Sequence, residues 1–153
     1  MAFLSLDADP NPTYATLREV GAALAEASAV YSKARYAAES YAQGVYLEAK
    51  LRQADTEGAM LFASLSEPSI NGKTVADRQV QTTAWLSTKK EMVEANEGLR
   101  QAERMLAMMR ATADGAEQAY KMLTHRLNGA RAEATLLAAF ASADTTEEMR
   151  ELV

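Results

Sequence analysis

Four tyrosines recur at every fifth position, Tyr31, Tyr36, Tyr41 and Tyr46, with Lys33, Lys50 and Arg52 around them. Rings interleaved with cations are the minimal equipment for holding single-stranded nucleic acid. Each ring stacks a base for about 1 to 3 kcal/mol, and the cations follow the phosphates. The same rings suit an interface between protein chains, where tyrosine is also favoured, and both readings stay open. At about 100° per residue, a straight helix puts Lys33, Tyr36, Gln43, Tyr46 and Lys50 on one side and Arg52 opposite Tyr36. Tyr31 and Tyr41 fall instead on an apolar row, and a kink where that row slips phase between Val45 and Leu47 would bring Arg52 round. Lys89 and Lys90 form the densest positive spot, with Lys73 and Arg78 before them, and are secondary candidates for phosphate.

Other chemistry finds little to work with. Asn71-Gly72-Lys73-Thr74 ends like a phosphate-binding loop, but position 67 is Glu where that motif needs Gly, and no strand precedes it. With no Cys and His125 as the one His, there is no thiol nucleophile and no imidazole cluster for a metal. Glu147 with Glu148, and Asp55 with Glu57, lie in segments without the apolar pocket that would raise a carboxyl pKa. The expectation is a protein that is not an enzyme and needs no cofactor or metal.

The chain of 153 residues, 48% hydrophobic and 24% charged, suits one helical domain. No apolar run approaches membrane-spanning length and Met1 to Pro10 has no basic start, so no membrane contact and a cytoplasmic location are expected. The net charge of −5 argues against a uniformly basic nucleic-acid coat, but it is unevenly spread. Residues 1–72 hold 5 basic and 9 acidic side chains, residues 73–131 hold 10 and 7, and residues 132–153 hold 1 and 5. A positive middle between acidic ends suits a polyanion, an acidic partner, or contact between one subunit's tail and another's centre.

The elements that must position these residues are helices. Residues 1–12, with Pro10 and Pro12, read as an irregular lead-in. From Thr13 to Ser66 there is no Pro, and Ala, Leu, Glu, Lys, Arg and Gln dominate, which predicts a helix over 13–66. Its apolar row runs Leu17, Val20, Leu24, Ala27, Tyr31, Ala34, Ala38, Tyr41 and Val45. The row then slips phase to Leu47, Leu51, Ala54, Gly58, Leu61 and Leu65, with Gly44 beside the slip. Residues 67–73 form the one internal loop signal, and Thr74 with Asp77 resembles a helix cap. A second helix is predicted over 74–142, its seam running in threes and fours from Trp85 through Met92, Leu99, Leu106, Ala113, Tyr120 and Leu127 to Leu137. An acidic tail, 144–153, follows. The expected fold is all-α: a long antiparallel helical hairpin with coiled-coil-type packing, over residues 13–143. Two helices bury only one seam each, so the remaining apolar surface implies a homo-oligomer.

Tyr31-Ser32-Lys33 on the first helix, Lys50-Leu51-Arg52 late in it, and Lys73-Thr74-Val75 opening the second helical half resemble the corresponding elements of the phage UvsY-type recombination mediators. The resemblance spans roughly Tyr14 to Leu137 as a pattern. It implies a ring-forming helical protein that binds single-stranded DNA and helps a RecA-like recombinase replace a single-strand-binding protein, in a bacterial host's cytoplasm. Lys50 and Arg52 would be the main phosphate contacts, supported by Lys33, Tyr36 and Tyr46, with Lys89 and Lys90 secondary. Two other readings of the residues stand beside it. One is a structural or assembly protein, such as a virion component, scaffold or chaperone, with protein partners only. The other is an acidic inhibitor of a host nuclease or defence protein.

Overall fold

The computed structural model describes the backbone of residues 12–151 and the side chains of 16–142. The lead-in expected over residues 1–12 lies almost entirely outside these. Among the described residues the chain is all-α: α1 (Pro12–Tyr41), a π-turn (Ala42–Tyr46), α2 (Leu47–Ser64), α3 (Val75–Ser87) and α4 (Lys90–Glu151). None of these helices is long and apolar enough to cross a membrane. The chain divides into two compact units, one formed by Met1–Lys33 with Asp114–Val153 and one by Ala34–Ala113.

α1 opens on Pro12, whose missing N–H falls where a helix has no acceptor for it. In the first unit Val20 is buried, and Tyr31 stacks on Tyr120 of α4 with ring centroids 6.3 Å apart and planes 17° from parallel. Beside that pair, Lys121 meets Glu117 one turn back, and this contact holds the ammonium pKa above its ordinary value.

In the second unit the buried apolar side chains are Ala38, Met92, Ala95, Ala102, Leu106 and Ala113. Every one of them lies on a row read from the sequence. Four are alanines, so the helices meet across small side chains, and the transfer of apolar surface out of water is correspondingly modest.

Where α1 gives way to α2, the phase slip appears as the π-turn, which fits one extra residue into the helix. The row facing inward then continues as Tyr46, Ala49, Gln53, Thr56, Met60 and Ser64, all buried or half-buried. The row expected there, Leu47, Leu51, Ala54, Gly58, Leu61 and Leu65, is exposed, as is Val45. The polar inner side chains tolerate their position because they bond locally. Gln53 donates to Glu57 at 3.0 Å, Thr56 Oγ1 to the Arg52 carbonyl at 2.7 Å, and Ser64 Oγ to the Leu61 carbonyl at 2.6 Å.

α2 unwinds through backbone bonds from Leu65, Ser66 and Glu67 to carbonyls three residues back, ahead of Pro68. The loop therefore spans 65–74 rather than 67–73. α3 begins with a reciprocal cap: Asp77 N–H donates to Thr74 Oγ1 at 3.1 Å, and Thr74 N–H to Asp77 Oδ2 at 3.2 Å. α3 packs on α2.

Two expectations for the second helix change. It is interrupted at Thr88 and Lys89, where the Ser87 and Thr88 hydroxyls donate to carbonyls three residues back and Thr88 N–H turns to the Trp85 carbonyl. Paired hydroxyl side chains offer the backbone an alternative to the helical ladder, and here it is taken. At the other end α4 continues to Glu151, so the stretch expected as a tail from 144 is helical to that point. No Gly or Pro follows Gly129 to stop it, and Glu, Met and Arg sustain a helix.

Gly72 accounts for the phosphate-loop resemblance in structural terms. Its N–H donates to Gln81 Oε1 at 2.8 Å, and its carbonyl accepts from Arg78 Nε at 2.9 Å. A Cβ there would stand 2.6 Å from that of Asp77 and 2.9 Å from the Arg78 nitrogen. The backbone groups that would cradle a phosphate are bonded to α3 instead. Gly72→Ala is expected to lower stability by about 1 to 3 kcal/mol through overpacking against the cap, measured by denaturant unfolding followed by circular dichroism.

Candidate nucleic-acid interface

The π-turn decides which candidate side chains share a side. Counting it as one inserted residue, Arg52 comes to about 60° from Tyr36 instead of about 160°. The same insertion carries Tyr46 to about 180° and Lys50 to about 140° from Tyr36, so the two no longer join it as they would on a straight helix. Exposure agrees: Tyr36 is 73% exposed, whereas Tyr46 is half-buried on the inner row.

Arg52 and Lys50 are both exposed, and neither makes an ion pair among the described residues. Arg52 lines an open groove of about 320 Å³ in which Glu48 and Ala49 of α2 face Glu94, Ala95 and Gly98 of α4. Two carboxylates thus stand in the groove with its one guanidinium. They reduce its attraction for an anion lying along the groove and leave the outward side of the guanidinium available. Lys33 is exposed and likewise without an ion pair among the described residues, but it belongs to the other compact unit.

The secondary pair separates. Lys90 is exposed and reaches Glu94 at 3.5 Å, an i,i+4 contact whose partners are 86% and 60% exposed. Such a pair in water contributes little and yields easily to a phosphate. Lys89 is half-buried, with Nζ 4.1 Å from the centre of the Trp85 ring, a cation held over a π face.

That contact belongs to a cluster at the break between α3 and α4. Glu67, from the loop after α2, accepts from the Ser69 hydroxyl at 2.9 Å and from its N–H at 3.4 Å. These two bonds, helped by the Trp85 indole N–H and the nearby Lys89 charge, hold the Glu67 carboxyl below the ordinary glutamate range. Lys89 is therefore engaged with the Trp85 ring at the end of α3, close to the Glu67 carboxylate. The sequence signal was the four-residue step from Trp85 to Lys89, a spacing at which side chains on one helix meet.

Sequence reasoning also missed the exposure of Leu51, next to Arg52, and of Phe62, about 15 Å further along α2, at 56% and 77%. No protein-family model matches the chain, and no curated protein or solved structure is significantly similar to it.

The lowered carboxyl pKa gives a pH dependence. A folded-state pKa below the unfolded value means that Glu67 stabilises the cluster above the ordinary glutamate range, and that this is lost as pH falls through the lowered value. Trp85 is the single Trp, so its emission reads the cluster directly. Emission is expected to shift on acidification, and Glu67→Gln is expected to remove that shift without loss of helicity at neutral pH. A wild-type signal flat through the acid range, with helicity retained, would show that Glu67 does not hold the ring.

Proposed function

We propose that the chain is a long antiparallel helical hairpin acting as a homo-oligomer, that it binds single-stranded DNA without catalysis or cofactor, and that it works as a recombination mediator assisting a RecA-like recombinase. The observation that supports DNA binding most directly is the exposed Tyr36 ring on the same side of the helix as the Arg52 guanidinium, which has no ion-pair partner among the described residues. The two stand sixteen residues apart, about 24 Å along the helix, so the ring would take one base and the cation a phosphate several nucleotides further along a strand laid on that side. Lys50 and Lys90 lie exposed in the same unit as supporting cations, and Lys33 and Tyr46 keep lesser roles. The hairpin reading draws support from the loop over 65–74, from α2 packing on α3, and from the groove in which residues 45–52 meet residues 94–99.

One such site binds weakly, because a single ring and one or two cations supply only a few contacts against a net negative chain. An oligomer presents several copies at once. Linked weak sites raise avidity without any new contact, and they hold a strand extended between subunits, the state a recombinase needs for loading.

A second reading is favoured by the exposed leucines of α2: a helical assembly protein whose surface serves protein contacts alone. One titration separates the two. Fluorescence anisotropy of a labelled single-stranded oligonucleotide is expected to show binding that weakens steeply between low and moderate salt. Arg52→Ala and Tyr36→Ala are each expected to weaken it by about tenfold, with Lys90→Ala reducing the salt slope by about one. A folded, oligomeric protein with no salt-sensitive affinity would favour the assembly reading and overturn DNA binding.

A further inference from the structure

The open face of α2 is long, regular and apolar. Leu47, Leu51, Ala54, Gly58, Leu61 and Leu65 follow one another in steps of four and three, and the four leucines are 46%, 56%, 43% and 80% exposed in chain order. Ala54 and Gly58 are exposed as well. This alternation is the seam of a two-stranded coiled coil with its second strand missing.

The charges beside the seam identify that strand. Lys50 stands on one flank and Asp55 on the other, and neither makes an ion pair among the described residues. They are five positions apart, beyond the three or four at which side chains of one helix meet. Five is, however, the offset at which flanking side chains meet between two parallel, in-register helices.

We propose that the α2 row is the contact for a second copy of this chain, with the two α2 helices side by side, parallel and in register. Lys50 of each copy then faces Asp55 of the other, closing the seam on both flanks. Ala54 and Gly58 at its centre let the two backbones approach closely. The antiparallel arrangement also matches leucine to leucine, because the row reads large, large, small, small, large, large from either end. It is disfavoured because it brings the two Asp55 side chains together on one flank and the two Glu57 side chains together on the other. This contact deepens the oligomeric part of the reading above and does not depend on DNA binding.

The chain contains no Cys, so Ala54→Cys places a single thiol in the seam of the full-length protein. Parallel pairing brings the two substituted positions within disulfide reach, and oxidised glutathione is expected to convert the variant to a covalent dimer. Preferential cross-linking between Ala54→Cys and Gly58→Cys proteins in a mixture would overturn the parallel arrangement. Absence of either product would overturn the contact. Leu51→Ala replaces an exposed side chain with a better helix former, so helicity should be unchanged while association, read by light scattering across a dilution series, weakens by more than about a hundredfold. Asp55→Lys is expected to weaken association by about tenfold, and combining it with Lys50→Asp to restore it. An association unmoved by Leu51→Ala would overturn the assignment of the seam. The anisotropy titration on the same proteins keeps the two proposals apart. Lost cross-linking with retained salt-sensitive binding would remove this contact only, and the converse would remove the DNA reading only.

Discussion

A helix can keep one face against its neighbour only if its residue count keeps step with its winding, and the extra residue taken up at Ala42–Tyr46 sets that step for everything after it. Ahead of the π-turn the inner row ends on Ala38 and Tyr41. Beyond it, Tyr46 and Ala49 take over, and Val45, which a straight helix would place inside, stands exposed. The position of Arg52 relative to Tyr36 and the half-burial of Tyr46 both follow from this single insertion. Gly44 lies within it, where the absence of a side chain lowers the cost of departing from regular winding.

Much of the architecture was legible because it rests on strict periodicity. The α4 seam, read in threes and fours, contains Met92, Ala95, Ala102, Leu106 and Ala113, the buried apolar residues among those described in that helix. The cap at Thr74 was legible as well, since its two residue types and their spacing describe the hydrogen bonds they form. The face of α2 was misread for a physical reason. Hydropathy assigns the leucine row to the interior, but a row of Ala49, Gln53, Thr56, Met60 and Ser64 can be half-buried when its polar members bond within their own helix. The break at Thr88 was missed because Ser and Thr interrupt a helix only when their hydroxyls claim carbonyls one turn back, and composition does not reveal that choice.

The candidate site was legible in its ingredients and less so in its arrangement. Charge and ring were visible at Tyr36, Lys50 and Arg52, but their grouping depended on the winding between them. Lys89 shows the opposite difficulty. Read as part of a positive spot, it is committed to the Trp85 ring. Neighbouring lysines in sequence thus have different availability, because only Lys90 points its charge at a contact that water already weakens.

The alanines at the centre of the second unit carry an implication for how this protein tolerates substitution. A scan that truncates side chains to alanine passes silently over Ala38, Ala95, Ala102 and Ala113, which are already at that size. The packing they mediate is vulnerable in the other direction: each added methylene must wedge two helices apart. Mutational sensitivity along this seam therefore follows enlargement rather than deletion. Only the smallest side chains fit at these positions without moving a helix.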